Sequence, residues 1–173
     1  MLGTFRKHFA RQDLFHLVVF TAFLIHIWAM INMFHDIPAM LLYMNSNEIV
    51  GSLAYNMLFA LFETIIVFLI LVTLGLLLPS HWARSNFLAV SCCILVELTI
   101  MVTLFDILGY RPYSRVLLGG ICVITLILTA LVVPKYPKMS TIARSISTRL
   151  SPLIAAYFLI DLAGVIIVIA RNV

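Results

Sequence analysis

Five apolar runs govern what this chain can fold into. They cover residues 14–34, 51–78, 86–108, 116–133 and 152–170, and none contains a lysine or arginine. Each is close to the ~20 residues that an α-helix needs to cross ~30 Å of hydrocarbon at about 1.5 Å per residue. The second is long enough to tilt or to begin outside the hydrocarbon. Composition excludes a soluble alternative: 64 % of the 173 residues are hydrophobic and 10 % are charged. Soluble domains average roughly 45–50 % and about 25 %. One small core cannot hide that much apolar surface, so the excess must face lipid. A soluble enzyme, a disordered tail, a disulfide-stapled secreted domain and a nucleic-acid reader are all excluded. The expected fold is all-α: a polytopic membrane helix bundle of five transmembrane helices, one domain over residues 1–173.

The first run is too long for a cleavable signal peptide, and His35-Asp36-Ile37-Pro38 follows it instead of a small-residue cleavage site. No repeat is visible, and five spans do not divide into the equal halves of an inverted-repeat transporter. Orientation follows from the basic residues. Arg6, Lys7, Arg11, Arg84, Lys135, Lys138, Arg144 and Arg149 fall on one side, and Arg111, Arg115 and Arg171 on the other. Eight against three puts the amino terminus inside and the carboxyl terminus outside, with the plasma (inner) membrane the expected location. The net charge of +4 thus reflects topology and not nucleic-acid binding.

Two connections look like more than linkers. Residues 37–44 are apolar but too short to cross, and suggest an interfacial or re-entrant segment on the outer face. Residues 139–150 place Met139, Ile142, Ala143, Ile146 and Leu150 at helical spacing, with Lys138, Arg144 and Arg149 on the other face. This predicts a short amphipathic helix on the inner leaflet, facing anionic lipid headgroups. Pro152 would then occupy the tolerated first turn of the fifth span.

The polar residues inside the spans carry the chemistry. His26, Glu63, Glu97 and Asp161 lie on four different spans at a similar depth. Each would cost at least ~2.5–3.5 kcal/mol if charged and exposed to acyl chains, so all four are expected to point into the bundle. Three carboxylates with one histidine cannot all be ionised in a dry interior. The options are neutral acids sharing hydrogen bonds, a bound cation, a water-filled cavity, or partner helices supplying basic groups.

Helical spacing refines the cluster. Ser52, Asn56 and Glu63 share one face of the second span, and Tyr157, Asp161 and Gly164 one face of the fifth. The third span carries Glu97 on one side and Cys92, Thr99, Thr103 and Asp106 on the other. A helix polar on both sides should be central or contact another subunit. On the fourth, Gly119-Gly120 and the Thr125/Thr129 pair suggest close helix contact. Asp106 is placed to pair with Arg111 or Arg115 at the outer interface, and Trp82 to anchor the inner one.

No cofactor is expected. Haem is disfavoured because His16 and His26 share one helix, about 80° apart, with no second core histidine. No ExxH pair supports a metal site, and the three cysteines read as inert buried thiols. Nothing matches a Walker loop, a GxSxG elbow or HExxH. In span count and orientation the chain resembles the five-helix membrane domain of lipoteichoic-acid-synthase-type enzymes. That resemblance implies a membrane anchor or a lipid-handling role in the cell envelope. In that family the catalytic domain follows the fifth helix outside, and here the sequence stops at Val173.

The leading expectation is a non-enzymatic subunit of a larger membrane assembly, with other membrane subunits or further copies of itself as partners. A proton- or cation-coupled transporter or channel-like oligomer is the alternative.

Overall fold

The computed structural model describes residues 9–77, 80–108 and 112–172. They form five long helices, with no strand among the described residues. The helices are α1 (Arg11–Tyr43), α2 (Ser46–Leu77), α3 (Ser80–Leu108), α4 (Pro112–Val132) and α5 (Lys138–Asn172), and a short 3-10 turn, Val133–Lys135, joins the last two. All five are long and apolar enough to cross a membrane.

Two expected interruptions are absent. Residues 37–44 are no separate segment: α1 runs 33 residues with Pro38 inside it. Residues 139–150 are helical, but they continue directly into the fifth span as one 35-residue helix with Pro152 inside it. Each proline forfeits one backbone donor. Both helices nevertheless continue through it, so the proline costs a local bond without ending the helix.

The joints have local causes. Between α1 and α2 the Glu48 carboxylate accepts the Asn45 backbone N–H at 2.8 Å, while the Glu48 N–H donates to the Asn45 carbonyl at 2.9 Å. This is the acidic half of a capping box, and it starts α2 five residues before its apolar run. Pro134 stops α4, and the 3-10 turn closes with Tyr136 N–H donating to Val133 O at 3.0 Å.

The chain forms two compact units. The first comprises the start of α1 to Leu17 together with Leu71–Thr148. Here α3 packs on α4 and the 3-10 turn. Ala89, Val90 and Val133 form its core, with Cys93 and Ile94 against them. Phe9 and Phe87 meet at 4.6 Å between centroids. Gly75 permits that contact, because a Cβ there would stand 2.5 Å from the Phe87 ring.

The second unit comprises Val18–Ile70 and Arg149–Val173. Ala29, Met57 and Ala60 join α1 to α2, packed by Ile25, Met30 and Met33. Gly164 brings α5 close to α2: a Cβ there would lie 3.1 Å from the Ala54 carbonyl oxygen. Small residues thus let these helices approach closely.

Candidate functional site

The second unit buries a histidine–carboxylate pair. His26 on α1 is 2 % exposed and Asp161 on α5 is 5 % exposed. His26 Nε2 lies 3.0 and 3.2 Å from the two Asp161 oxygens. Its Nδ1 lies 2.8 Å from the carbonyl of Ala22, one helical turn earlier. Tyr157, one turn before Asp161, stacks on the imidazole at 4.8 Å between centroids.

This geometry counts protons. A carbonyl oxygen only accepts, so Nδ1 must carry a hydrogen. One more proton then lies between Nε2 and Asp161. Either imidazolium faces carboxylate, or neutral imidazole accepts from a carboxylic acid. Both arrangements are net neutral, which is what a buried pair with no other counter-ion among the described residues requires. The Nδ1 anchor fixes the ring so that only the Nε2–carboxyl proton can shift.

Glu97 belongs to the first unit, on α3. Thr129 on α4 donates its hydroxyl to Oε2 at 2.8 Å. The other oxygen, Oε1, is buried and accepts no hydrogen bond among the described residues. The site can take one further donor, whether a proton on the acid or a group from outside the chain. Two of the polar residues on the other side of α3 are satisfied locally: Thr99 and Thr103 bond to carbonyls of their own helix at 2.8 and 2.9 Å. The apparent two-sidedness of this span is therefore mostly backbone chemistry, although α3 is still the most enclosed of the five, with 44 % of its span buried.

The remaining expected residues are dispersed. Asn56 donates to the Ala29 carbonyl across the α1–α2 contact at 3.2 Å. With Asn32, Asp36, Ser52 and Tyr55 it lines a half-polar cavity of about 280 Å³ between those helices. Glu63 departs from the expectation: it is exposed. The buried stripe of α2 runs through Ala54, Met57, Ala60 and Thr64, whose small or compact side chains allow close approach, and Glu63 sits about 100° off it. Asp106 is exposed, while Arg111 and the Trp82 side chain lie outside the described residues. Gly119 and Gly120 make no close contact; open space surrounds both. Among the described residues the close contact expected on α4 is made not by these glycines but by Thr129, on Glu97.

An ion pair that patterning did not single out lies in the first unit. Arg144 donates from Nε and Nη2 to Asp13 Oδ1 at 2.9 and 2.8 Å, and Asp13 is buried. Arg144 was expected at lipid headgroups. The one available signal was Asp13 itself, an acid at the very start of an apolar run. On the same stretch Ala143 and Ser147 are buried, while Met139, Ile142 and Ile146 are exposed.

Among the described residues no group of three or more His, Cys, Asp and Glu could hold a metal ion. The three cysteines are free. No protein-family model, curated protein or solved structure matches the chain. The likeness to the lipoteichoic-acid-synthase membrane domain therefore rests on span count and orientation alone.

Proposed function

We propose that this chain is a non-enzymatic subunit of a larger membrane assembly, crossing the plasma (inner) membrane five times with its amino terminus inside. The observation that carries this reading is Glu63. It stands exposed near the middle of a 32-residue apolar helix. Facing acyl chains there would cost ~2.5–3.5 kcal/mol if it were charged, so a polar group from a partner, or a second copy, is the economical cover. The open Gly119-Gly120 step on α4, whose span is only 11 % buried, adds a second uncovered face. Exposed Lys135, Lys138 and Arg149 on the basic side suit contact with anionic inner-leaflet headgroups.

Mild-detergent purification with measurement of assembly size tests the reading. Glu63→Gln should keep the assembly, because the amide still hydrogen-bonds. Glu63→Leu should release free chain. If Glu63 faces lipid instead, the leucine variant will assemble as well as wild type and gain stability.

A second reading, proton-coupled transport, is favoured by one feature: the proton shared between His26 Nε2 and Asp161, held in place by the Nδ1 anchor. The subunit reading takes precedence because the same neutral pair suffices as a helix-to-helix tie.

A further inference from the structure

The second unit contains an apolar groove of about 330 Å³, bordered by Met30 of α1, Leu53 and Met57 of α2, and Ile160, Ala163 and Ile167 of α5. On α5 its lining begins at Ile160, the residue before Asp161. Val50 lines its other end. There the Arg171 guanidinium lies over the adjacent Gly51, where any Cβ would overlap it, and approaches the Asn47 carbonyl at 3.4 Å. Among the described residues Arg171 pairs with no carboxylate: the nearby Glu48 is engaged with the Asn45 N–H. From Ile160 to Arg171 α5 rises about 16 Å at ~1.5 Å per residue. That is close to half of the ~30 Å hydrocarbon thickness, one leaflet.

We infer that this groove binds one anionic phospholipid from the leaflet at the carboxyl end of α5, with its phosphate on Arg171 and one acyl chain running down the groove toward His26–Asp161. Three features converge on this occupant. The groove is lined almost wholly by apolar atoms, so it takes hydrocarbon. Arg171 stands one helical turn beyond Ile167, the last α5 residue of the lining, and from there to Ile160 is the depth of one leaflet. Its rim offers a guanidinium, the side chain best matched to phosphate. Gly51 is explained as well: a bare backbone there lets Arg171 lie flat at the rim.

The test uses the full chain in nanodiscs and native mass spectrometry after detergent release, with three probes: dioleoyl phosphatidylglycerol, dioleoylglycerol and glycerol 3-phosphate. Wild type should retain one phosphatidylglycerol per chain. It should retain neither the glyceride lacking phosphate nor the headgroup lacking chains to a comparable degree. Arg171→Gln should lower retention roughly fivefold, the weight of one cation facing an anionic headgroup, whereas Arg171→Lys should lower it less. Ala163 is exposed to the groove, so Ala163→Phe should fill the space and release the lipid without disturbing helix packing. Unchanged retention in Arg171→Gln or in Ala163→Phe would overturn the assignment, as would equal retention of dioleoylglycerol. A second measurement needs no variant. Phosphatidylglycerol carrying a diazirine near its chain end should label wild-type α5 around Ile160–Gly164 or α2 around Met57, and labelling confined to other helices would equally refute it.

Discussion

Asp161 shows how much one side chain can determine in an apolar interior. With Nδ1 committed to Ala22 O, His26 can meet its partner only through Nε2. Asp161→Asn keeps a donor opposite that nitrogen, so neutral imidazole can accept from the amide and the helix-to-helix tie survives. The expected loss of stability in detergent is under ~1 kcal/mol, at the low end for an interhelical hydrogen bond. Asp161→Leu strands the buried Nε2 and should cost about 1–3 kcal/mol. Thermal unfolding of the two variants orders them. Proton flux in reconstituted vesicles adds the functional half: the asparagine variant removes the shared titratable proton, so wild-type flux that survives it excludes transport through this pair. His26 and Asp161 could each be singled out along the chain as costly residues at similar depth. Their pairing could not, because nothing in a one-dimensional pattern says which of three carboxyls meets the one histidine.

At the scale of the helix, the two classes of glycine separate cleanly. Gly164 is needed where it stands, since a methyl group would press on the Ala54 backbone oxygen at 3.1 Å and backbone cannot yield as a side chain can. Gly119 and Gly120 meet nothing within 4 Å. In the isolated chain, then, Gly119→Ala should raise stability by up to ~1 kcal/mol through helix propensity, while Gly164→Ala should lower it. Thermal unfolding in detergent reads both. If Gly119→Ala stabilises the isolated chain but weakens the assembly, that face is where a partner packs. Helix boundaries follow the same division between local and tertiary causes. Asn45 and Glu48 mark the start of α2 in the sequence itself. The continuation of α1 through Pro38 and of α5 through Pro152 is not marked in the sequence, where each proline reads as a boundary.

For the whole molecule, the testable property is topology. Eight basic residues against three predict opposite sides for the stretch 139–150 and for the carboxyl terminus. Reporter fusions inserted within 139–150 and after Val173 should therefore report cytoplasmic and external positions respectively. Reports from one and the same side would remove the five-span reading. The Asp13–Arg144 pair joins residues both assigned to the inner end, and the Asn172–Tyr55 contact at 2.8 Å joins residues both assigned to the outer end. The topology is thus internally consistent within each unit.

The residues themselves determined the helical class and the number and apolar character of the long helices. All of these follow from apolar run length and from the free energy of placing charge in hydrocarbon, which are additive along a chain. Tertiary structure alone decided which polar groups meet. It buried Asp161 against His26, gave Glu97 the Thr129 hydroxyl, paired Arg144 with Asp13 instead of leaving it to lipid, and left Glu63 outside. The reason is that every span here is apolar nearly all round, so periodicity names no inward face. That face is chosen by where small residues let two backbones approach, and this is a property of helix pairs that no single helix carries.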